Sequence, residues 1–536
     1  MRYVRIWRVL ALTLALALLW IGQDGPAHAQ GRKVLVIAIG ADQTGLDPLL
    51  GGNNESGFIQ STIFDGLVMF KPGSSQIGPG LAESWAVSPD GLVYTFRLRR
   101  GVKFHDGTPM NARTVAEDID RAINPRNPCF VLARRSVNTY IAATYGTVQA
   151  GSAAKVDALD DYTLQFTLAT PNAVFLTNLA MRQLGIVSPA ATKKYDCDPS
   201  QNPVGTGPFR FVEAVRNDHV TVEANPDYWG GRPKIDRIIF RVVPESSTRL
   251  LMLQRNEVQI LADVPPSDSE RIRTTPGLKL VAQPGLTVMG VVMSADAGPF
   301  RDARVRRALN YAVDKDTINK TLYGGATTAS QIMPPVSWGH NSTIKPYPYD
   351  PPKAKALLAD AGYPNGFATE LSVFAEPRGW NPIGGAKIGE AVQAYLAKVG
   401  IDAKIVQYEF GAYYQRLRFT PWEGMAIVGW SGDNGDPDNF ITPLFGWDDA
   451  TNKPRPTNYG RLYNATLVQL IREGRETSIQ ARRVQVYKQA NQIIHDDAPW
   501  IFINHVNQVR ATRANVKGFL LNPTQMFFHM ELVSLE

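Results

Sequence analysis

At 536 residues the chain is longer than one hydrophobic core sustains, so two or more domains are expected. Its formal net charge of +7 is a modest excess over that length. Lys and Arg interleave with Asp and Glu and form no basic block, which argues against a nucleic-acid role.

Residues 1–29 read as a signal peptide. Arg2, Arg5 and Arg8 form a basic n-region, Val9 to Gly22 is apolar, and Ala27-His28-Ala29 gives a small-x-small cleavage pattern before Gln30. The apolar stretch is shorter than the roughly 20 residues a membrane span needs. The residue directly after the cleavage point is Gln30 and not a Cys, so nothing suggests a lipid anchor, and no other long apolar run occurs. An exported, soluble, periplasmic mature chain is therefore expected. Cys129 and Cys197 are its only cysteines, an even pair that in an oxidising compartment favours a disulfide over two buried thiols. A bridge closing a loop of roughly 70 residues would stabilise the fold by about 4 kcal/mol.

In chain order, Lys33–Ile39 reads as a strand, and a loop with Gly40, Gly45 and Pro48 follows. Leu92–Leu98 and Tyr162–Leu168 alternate apolar residues at a period of two, the mark of half-buried strands. Strands also fit 220–222, 237–242 and 287–293, interrupted by helices over 114–123 and 246–254. Val305, Ala308, Leu309, Ala312 and Val313 recur at helical spacing in a pattern that ends by Gly324-Gly325. Asp350 can cap a helix that opens with Pro351-Pro352 and stops at Gly362. Beyond it lie a helical stripe from Ile388 to Val399, a strand over 401–408, a short helix near 413–418 and an apolar strand from Met425 to Trp430. Helices over 465–475 and 478–495 and a strand over 500–504 complete the series. Strands alternating with helices predict an α/β fold in at least two lobes, and the mixed first half suggests an inserted antiparallel region.

Catalytic signatures are missing. The sequence holds no G-x-S-x-G elbow, no H-E-x-x-H and no P-loop. Gly205-Thr206-Gly207-Pro208-Phe209 reads as a tight turn between lobes, because Pro208 and the strand-like residues after it do not open a helix. The histidines are scattered without ligand spacing, so no metal or cofactor is expected. Asp433 to Asn439 resembles a calcium loop only until its sixth and twelfth positions, where Asp438 and Leu444 replace the required Gly and Glu. What remains is an acidic, glycine-containing loop at the end of an apolar strand, where open α/β sheets place ligands. Asp and Asn also build turns in such loops without any ligand.

From Gly429 to Phe440 the chain reads GWSGDNGDPDNF. This stretch closely resembles the ligand loop of the periplasmic dipeptide binders in the peptide/nickel family (family 5) of ABC-importer solute-binding proteins. The resemblance covers nearly the whole mature chain. It includes PGLAESW at 79–85, YTFRLRRGVKFHDG at 94–107, NPVGTGPF at 202–209, YWG at 228–230 and VRRAL at 305–309. It implies a two-lobed periplasmic-binding-protein fold (type II) joined by two crossing strands. Residues 30–285 and 507–536 would form lobe I, with a subdomain inserted at about 62–208, and residues 286–506 would form lobe II.

The same resemblance assigns residues. The acid at Asp433 would hold a peptide's α-ammonium group, beside Gly432. Arg378, followed by Gly379-Trp380-Asn381-Pro382, would hold its α-carboxylate. The chemistry suits both roles, since a guanidinium grips a carboxylate bidentately and a carboxylate accepts from an ammonium. Two fixed charges would act as a ruler for peptide length, because each residue advances the chain by about 3.3–3.6 Å. Trp430 and Trp380 either wall the cleft or pack the core. The family's dipeptide binders carry Pro-Tyr where this chain has Gly379-Trp380. The expected function is therefore peptide capture by lobe closure, by a monomer that is not an enzyme and that delivers dipeptides or short peptides to permease subunits in the membrane. Glutathione, haem, opines or metal chelates are alternative ligands for the same fold. A secreted hydrolase using Asp433 and Asp436 is the remaining alternative.

Overall fold

In the computed structural model, the residues described are 32–130, 141, 144–146, 154–448 and 451–536, so the expected signal peptide lies outside the described residues. Thr287–Met293 is apolar on both faces and buried at every position, as an interior strand requires. It sits in a six-stranded sheet ordered Thr327–Thr328, Trp500–His505, Thr287–Met293, Met425–Ser431, Phe367–Phe374, Ile401–Tyr408. Val34–Ile39 holds the matching place in a seven-stranded sheet. There it runs parallel to Arg237–Val242 on one side and to Ile260–Leu261 on the other.

Twice the chain crosses between these sheets. Leu278–Pro284 of the seven-stranded sheet continues through Gly285-Leu286 into Thr287–Met293. Trp500–His505 continues through Val506 into Asn507–Arg513, which returns to the seven-stranded sheet between Leu278–Pro284 and Ile260–Leu261. The crossings lie side by side: the Thr287 hydroxyl donates to the Val506 carbonyl at 2.9 Å. A Cβ on Gly285 would come within 2.8 Å of that carbonyl, so the close approach needs glycine. Each sheet has its own core. One runs from Leu286 to Val506, and the others gather around Phe58 and Phe240 and around Leu250 and Ile272. This is a two-lobed α/β protein.

A four-stranded antiparallel sheet, Ala82–Val87, Val93–Leu98, Thr163–Thr167, Lys155–Asp160, forms a further layer on the first lobe with a separate core. Buried charge ties it in. Arg121 of helix Ala112–Ile123 donates through its two terminal nitrogens to Asp47 at 2.6 and 3.0 Å, and through Nε to Asp118 at 2.8 Å. Asp65 accepts from Trp229 Nε1 at 2.7 Å, Thr206 Oγ1 at 3.0 Å and Tyr228 OH at 3.3 Å. Burial lifts the Asp65 carboxyl to about 6 despite these three bonds. Cys129 and Cys197 are disulfide-bonded, with Cα atoms 5.0 Å apart.

Two details differ from the sequence reading. The stripe from Val305 to Leu322 is two helices, Ala303–Ala312 and Lys315–Leu322, because Asp314 accepts the Thr317 N–H at 3.0 Å and starts the second. The Gly205–Phe209 segment is no turn between lobes. It lies within the first lobe, where a Cβ on Gly207 would come within 2.6 Å of the Ile63 carbonyl and where His105 closes over both glycines.

Candidate ligand-binding site

The apolar strand Met425–Ser431 ends at the interface between the lobes, and the loop after it is fixed by its own side chains together with Leu286 and Arg483. Gly432 N–H donates to the Leu286 carbonyl at 2.6 Å, and a Cβ there would come within 2.7 Å of the Phe440 ring. Asn439 Oδ1 accepts the Asp433 N–H at 2.9 Å, and Asn434 Oδ1 accepts the Asp436 N–H at 2.9 Å. Asp436 is buried and takes both terminal nitrogens of Arg483 at 2.8 Å. Arg483 Nε donates to the Gly474 carbonyl at 2.8 Å. Burial pushes the Asp436 carboxyl up, and the Arg483 guanidinium is the main opposing influence. Asp438 accepts from Thr442 Oγ1 and, at 3.4 Å, from Tyr487 OH. Asp436 and Asp438 are therefore loop-building groups. Asp433 alone of the three acids is half-exposed, while Asp436 is committed to Arg483. No group of three or more metal-ligating side chains occurs among the described residues.

Arg378 stands on the neighbouring loop of the same lobe, after strand Phe367–Phe374. Reciprocal backbone bonds of 2.8 Å between Arg378 and Asn381 close the Arg378–Asn381 loop, and Asn381 Oδ1 accepts Tyr323 OH at 2.8 Å. Inside that loop Trp380 points into the core, 9% exposed, edge-on to Phe374 with centroids 5.5 Å apart. Its ring lies so close over Gly429 that any Cβ there would collide with it. Trp380 thus braces the Arg378 loop against the strand that carries Asp433. Trp430 is half-buried beside it, with Nε1 3.4 Å from Asn439 Oδ1.

The Arg378 guanidinium lies over the Phe410 ring, with Cζ 3.2 Å from the centroid. Its Nε is buried and makes no hydrogen bond. Burial lowers its pKa, opposed by Glu376, Tyr414, Glu55 and Glu409 in turn. Glu55 belongs to the first lobe, in the opening turn of helix Asn54–Ile63. Its carboxyl is pushed up by burial and by Asp263, while Arg378 and Arg249 pull it down.

The lobes meet around these loops. Gln525 Nε2 of the first lobe donates to Ser431 Oγ at 3.2 Å, and a Cβ on Gly379 would come within 2.4 Å of its Oε1. Asn434 Nδ2 donates to Asn178 Oδ1 at 2.6 Å, and Gly435 packs against Ser75. Ala173 N–H donates to the Arg475 carbonyl at 2.7 Å. This is a closed arrangement. A separate cavity of about 290 Å³ opens between Pro171-Asn172 and Arg472–Glu476, and none of the five candidate ligand residues lines it. Sequence reading missed Gln525, Ser431, Glu55, Phe410 and Asn178. Of these, only Ser431 lay inside a motif, and the others reach the site through contacts between distant segments.

Two lobes joined by paired crossing strands and closing over charged loops define the class of solute-binding proteins. The chain belongs to the bacterial extracellular solute-binding proteins, family 5: the family model described as "Bacterial extracellular solute-binding proteins, family 5 Middle" matches residues 76–452. It is 35% identical over 540 residues to the dipeptide-binding protein of Escherichia coli (strain K12), covering 98% of each chain. It is 37% identical over 478 residues to heme-binding protein A of Haemophilus influenzae, covering 86% of this chain and 85% of that one. Among solved structures it resembles the periplasmic binding protein DppA of Helicobacter pylori in complex with the peptide STSA. That match has a TM-score of 0.80 and 34% identity, over 95% of this chain and 99% of the other. No helix of the described residues is long and apolar enough to cross a membrane.

Proposed function

We propose that this chain captures dipeptides or short peptides between its lobes, Asp433 holding the α-ammonium group and Arg378 the α-carboxylate. Gly432 and Trp430 complete the wall, and Trp380 sets the spacing of the two charges from beneath. The observation that carries this reading is the Arg378 guanidinium at the lobe interface: a stacked cation whose buried Nε has no protein acceptor. A cation held without a bonded carboxylate suits an anionic ligand group. Both anchors stand on the second lobe, so a peptide settles there first and the first lobe closes over it with Gln525 and Glu55. Closure shifts with the ligand because only the closed form contacts it from both sides.

In the same reading, residues 1–29 are removed on export to the periplasm, and the closed monomer docks on the permease subunits of an ABC importer. Lobe I spans residues 30–285 and 507–536, with the inserted subdomain at about 62–208, and lobe II spans residues 286–506. The crossings at Gly285-Leu286 and at Val506 support these boundaries.

Mass spectrometry of ligand released from the denatured protein tests the ligand class. A mixed set of dipeptides is expected. A single non-peptide species, or a haem absorption band in the purified protein, would replace the peptide reading while leaving the family assignment intact. Asp433→Asn and Arg378→Ala should each abolish dipeptide binding with the empty fold retained. Undiminished affinity in both would overturn the two-charge assignment.

A further inference from the structure

Phe410 opens helix Phe410–Phe419 and is held firmly. Glu409 caps the helix, its carboxylate accepting the Gly411 and Ala412 N–H groups at 2.9 and 3.0 Å. Phe374 meets the ring edge-on with centroids 5.4 Å apart, and Tyr414 does so at 4.8 Å. The exposed face of this fixed ring carries the Arg378 guanidinium, with Cζ 3.2 Å from the centroid, well inside the ~6 Å over which a ring attracts a cation.

The geometry divides the guanidinium between two tasks. Its face lies over the ring, and among the described residues no protein carboxylate takes its N–H donors. A carboxylate partner would have fixed Arg378 equally well, but by occupying the donors a ligand needs. Glu376, Glu55 and Glu409 act on Arg378 through space, and its Nε bonds to none of them. Stacking orients the fork and leaves it unspent.

We propose that Phe410 is the positioning residue of the ligand-carboxylate fork, setting the plane of the Arg378 guanidinium so that its N–H edge meets a free peptide C-terminus. This rests on the role proposed above for Arg378. The consequence is a preference for free-acid over C-terminally amidated peptides that depends on Phe410, although Phe410 offers the ligand no hydrogen bond of its own.

Calorimetry with alanyl-alanine and alanyl-alanine amide tests this on the wild type, Phe410→Leu, Phe410→Tyr, Arg378→Ala and the Phe410→Leu/Arg378→Ala double variant. Phe410→Leu should weaken free-acid binding roughly 3- to 30-fold, the range expected for loss of a partly desolvated cation–ring contact. Amide binding should stay within about twofold, Phe410→Tyr should restore the preference, and the double variant should be no weaker than Arg378→Ala alone. If Arg378→Ala removes the preference but Phe410→Leu leaves it intact, or weakens acid and amide equally, the positioning role is overturned and the two-charge reading stands. If Arg378→Ala leaves the preference intact, or the wild type binds neither probe, both fall. Should Phe410→Leu lower the yield of folded protein, Phe410→Met makes the same comparison.

Discussion

Replacing Arg483 by Met would remove the cation beneath the loop that carries Asp433. The native pair is nearly inaccessible, with side chains 5% and 3% exposed, and is joined by two bonds of 2.8 Å. Without Arg483, Asp436 keeps one donor, the Asp438 N–H at 3.0 Å. Leaving a buried charge unpaired costs about 3–5 kcal/mol. The lost bond to the Gly474 carbonyl adds about 1 kcal/mol. Urea unfolding followed by tryptophan fluorescence would measure the loss. The sign of its pH dependence follows from burial. In the variant, the folded Asp436 carboxyl is raised above its unfolded value, so stability is retained at low pH and lost as pH rises through the folded pKa. The variant should therefore be weakened more at pH 8 than at pH 5. Adding Asp436→Leu should recover most of the loss. A loss below about 1 kcal/mol at pH 8, or an equal loss at both pH values, would refute the view that this pair holds the loop.

Asp65 makes a separate pH prediction. Its carboxyl sits at about 6 when folded against an ordinary value of 3.8, so its contribution is complete below pH 4 and disappears as pH rises through 6. The stability difference between wild type and Asp65→Asn should change by about 3 kcal/mol over that window, read from urea unfolding at several pH values. Reducing the Cys129–Cys197 bridge, which spans 68 residues, should lower stability by about 4 kcal/mol in the same assay. Gly435→Ala, at φ +74°, would push Ser75 away and hold the lobes apart. Ligand affinity should fall, small-angle scattering should show a more open particle, and Ser75→Gly in the same chain should reverse both.

Interior strands and capped helices were the legible part of the fold. Thr287–Met293 and Ile401–Tyr408 stand where their apolar patterns place them, and Asp350 caps Pro351–Asp360 by accepting the Lys353 N–H at 3.0 Å. Lys155–Asp160 was missed because it is a charged sheet edge with little buried surface to imprint a period. Phe367–Phe374 was missed for another reason: it is buried on both faces at one end and on neither at the other, so no single period describes it. At the candidate site, the two proposed charges, Arg378 and Asp433, stand in local motifs. The supporting contacts do not. Phe410 and Gln525 carry no spacing signal, because what they touch is decided by how strands far apart in sequence are ordered in the sheet.

The return of the chain at Val506 also orders its assembly. The second lobe uses one uninterrupted stretch and can fold as soon as that stretch is available. The first lobe cannot, because Asn507–Arg513 belongs between Leu278–Pro284 and Ile260–Leu261 and is made only after the whole of the second lobe's stretch. Until it arrives, two strand edges stand unpaired, and Gln525 is absent from the cleft. Contacts of such long sequence separation form slowly, and open edges invite pairing with other chains. A chain cut short just after Val506 would thus retain a complete lobe and both proposed charges, yet expose a sheet with a missing interior strand.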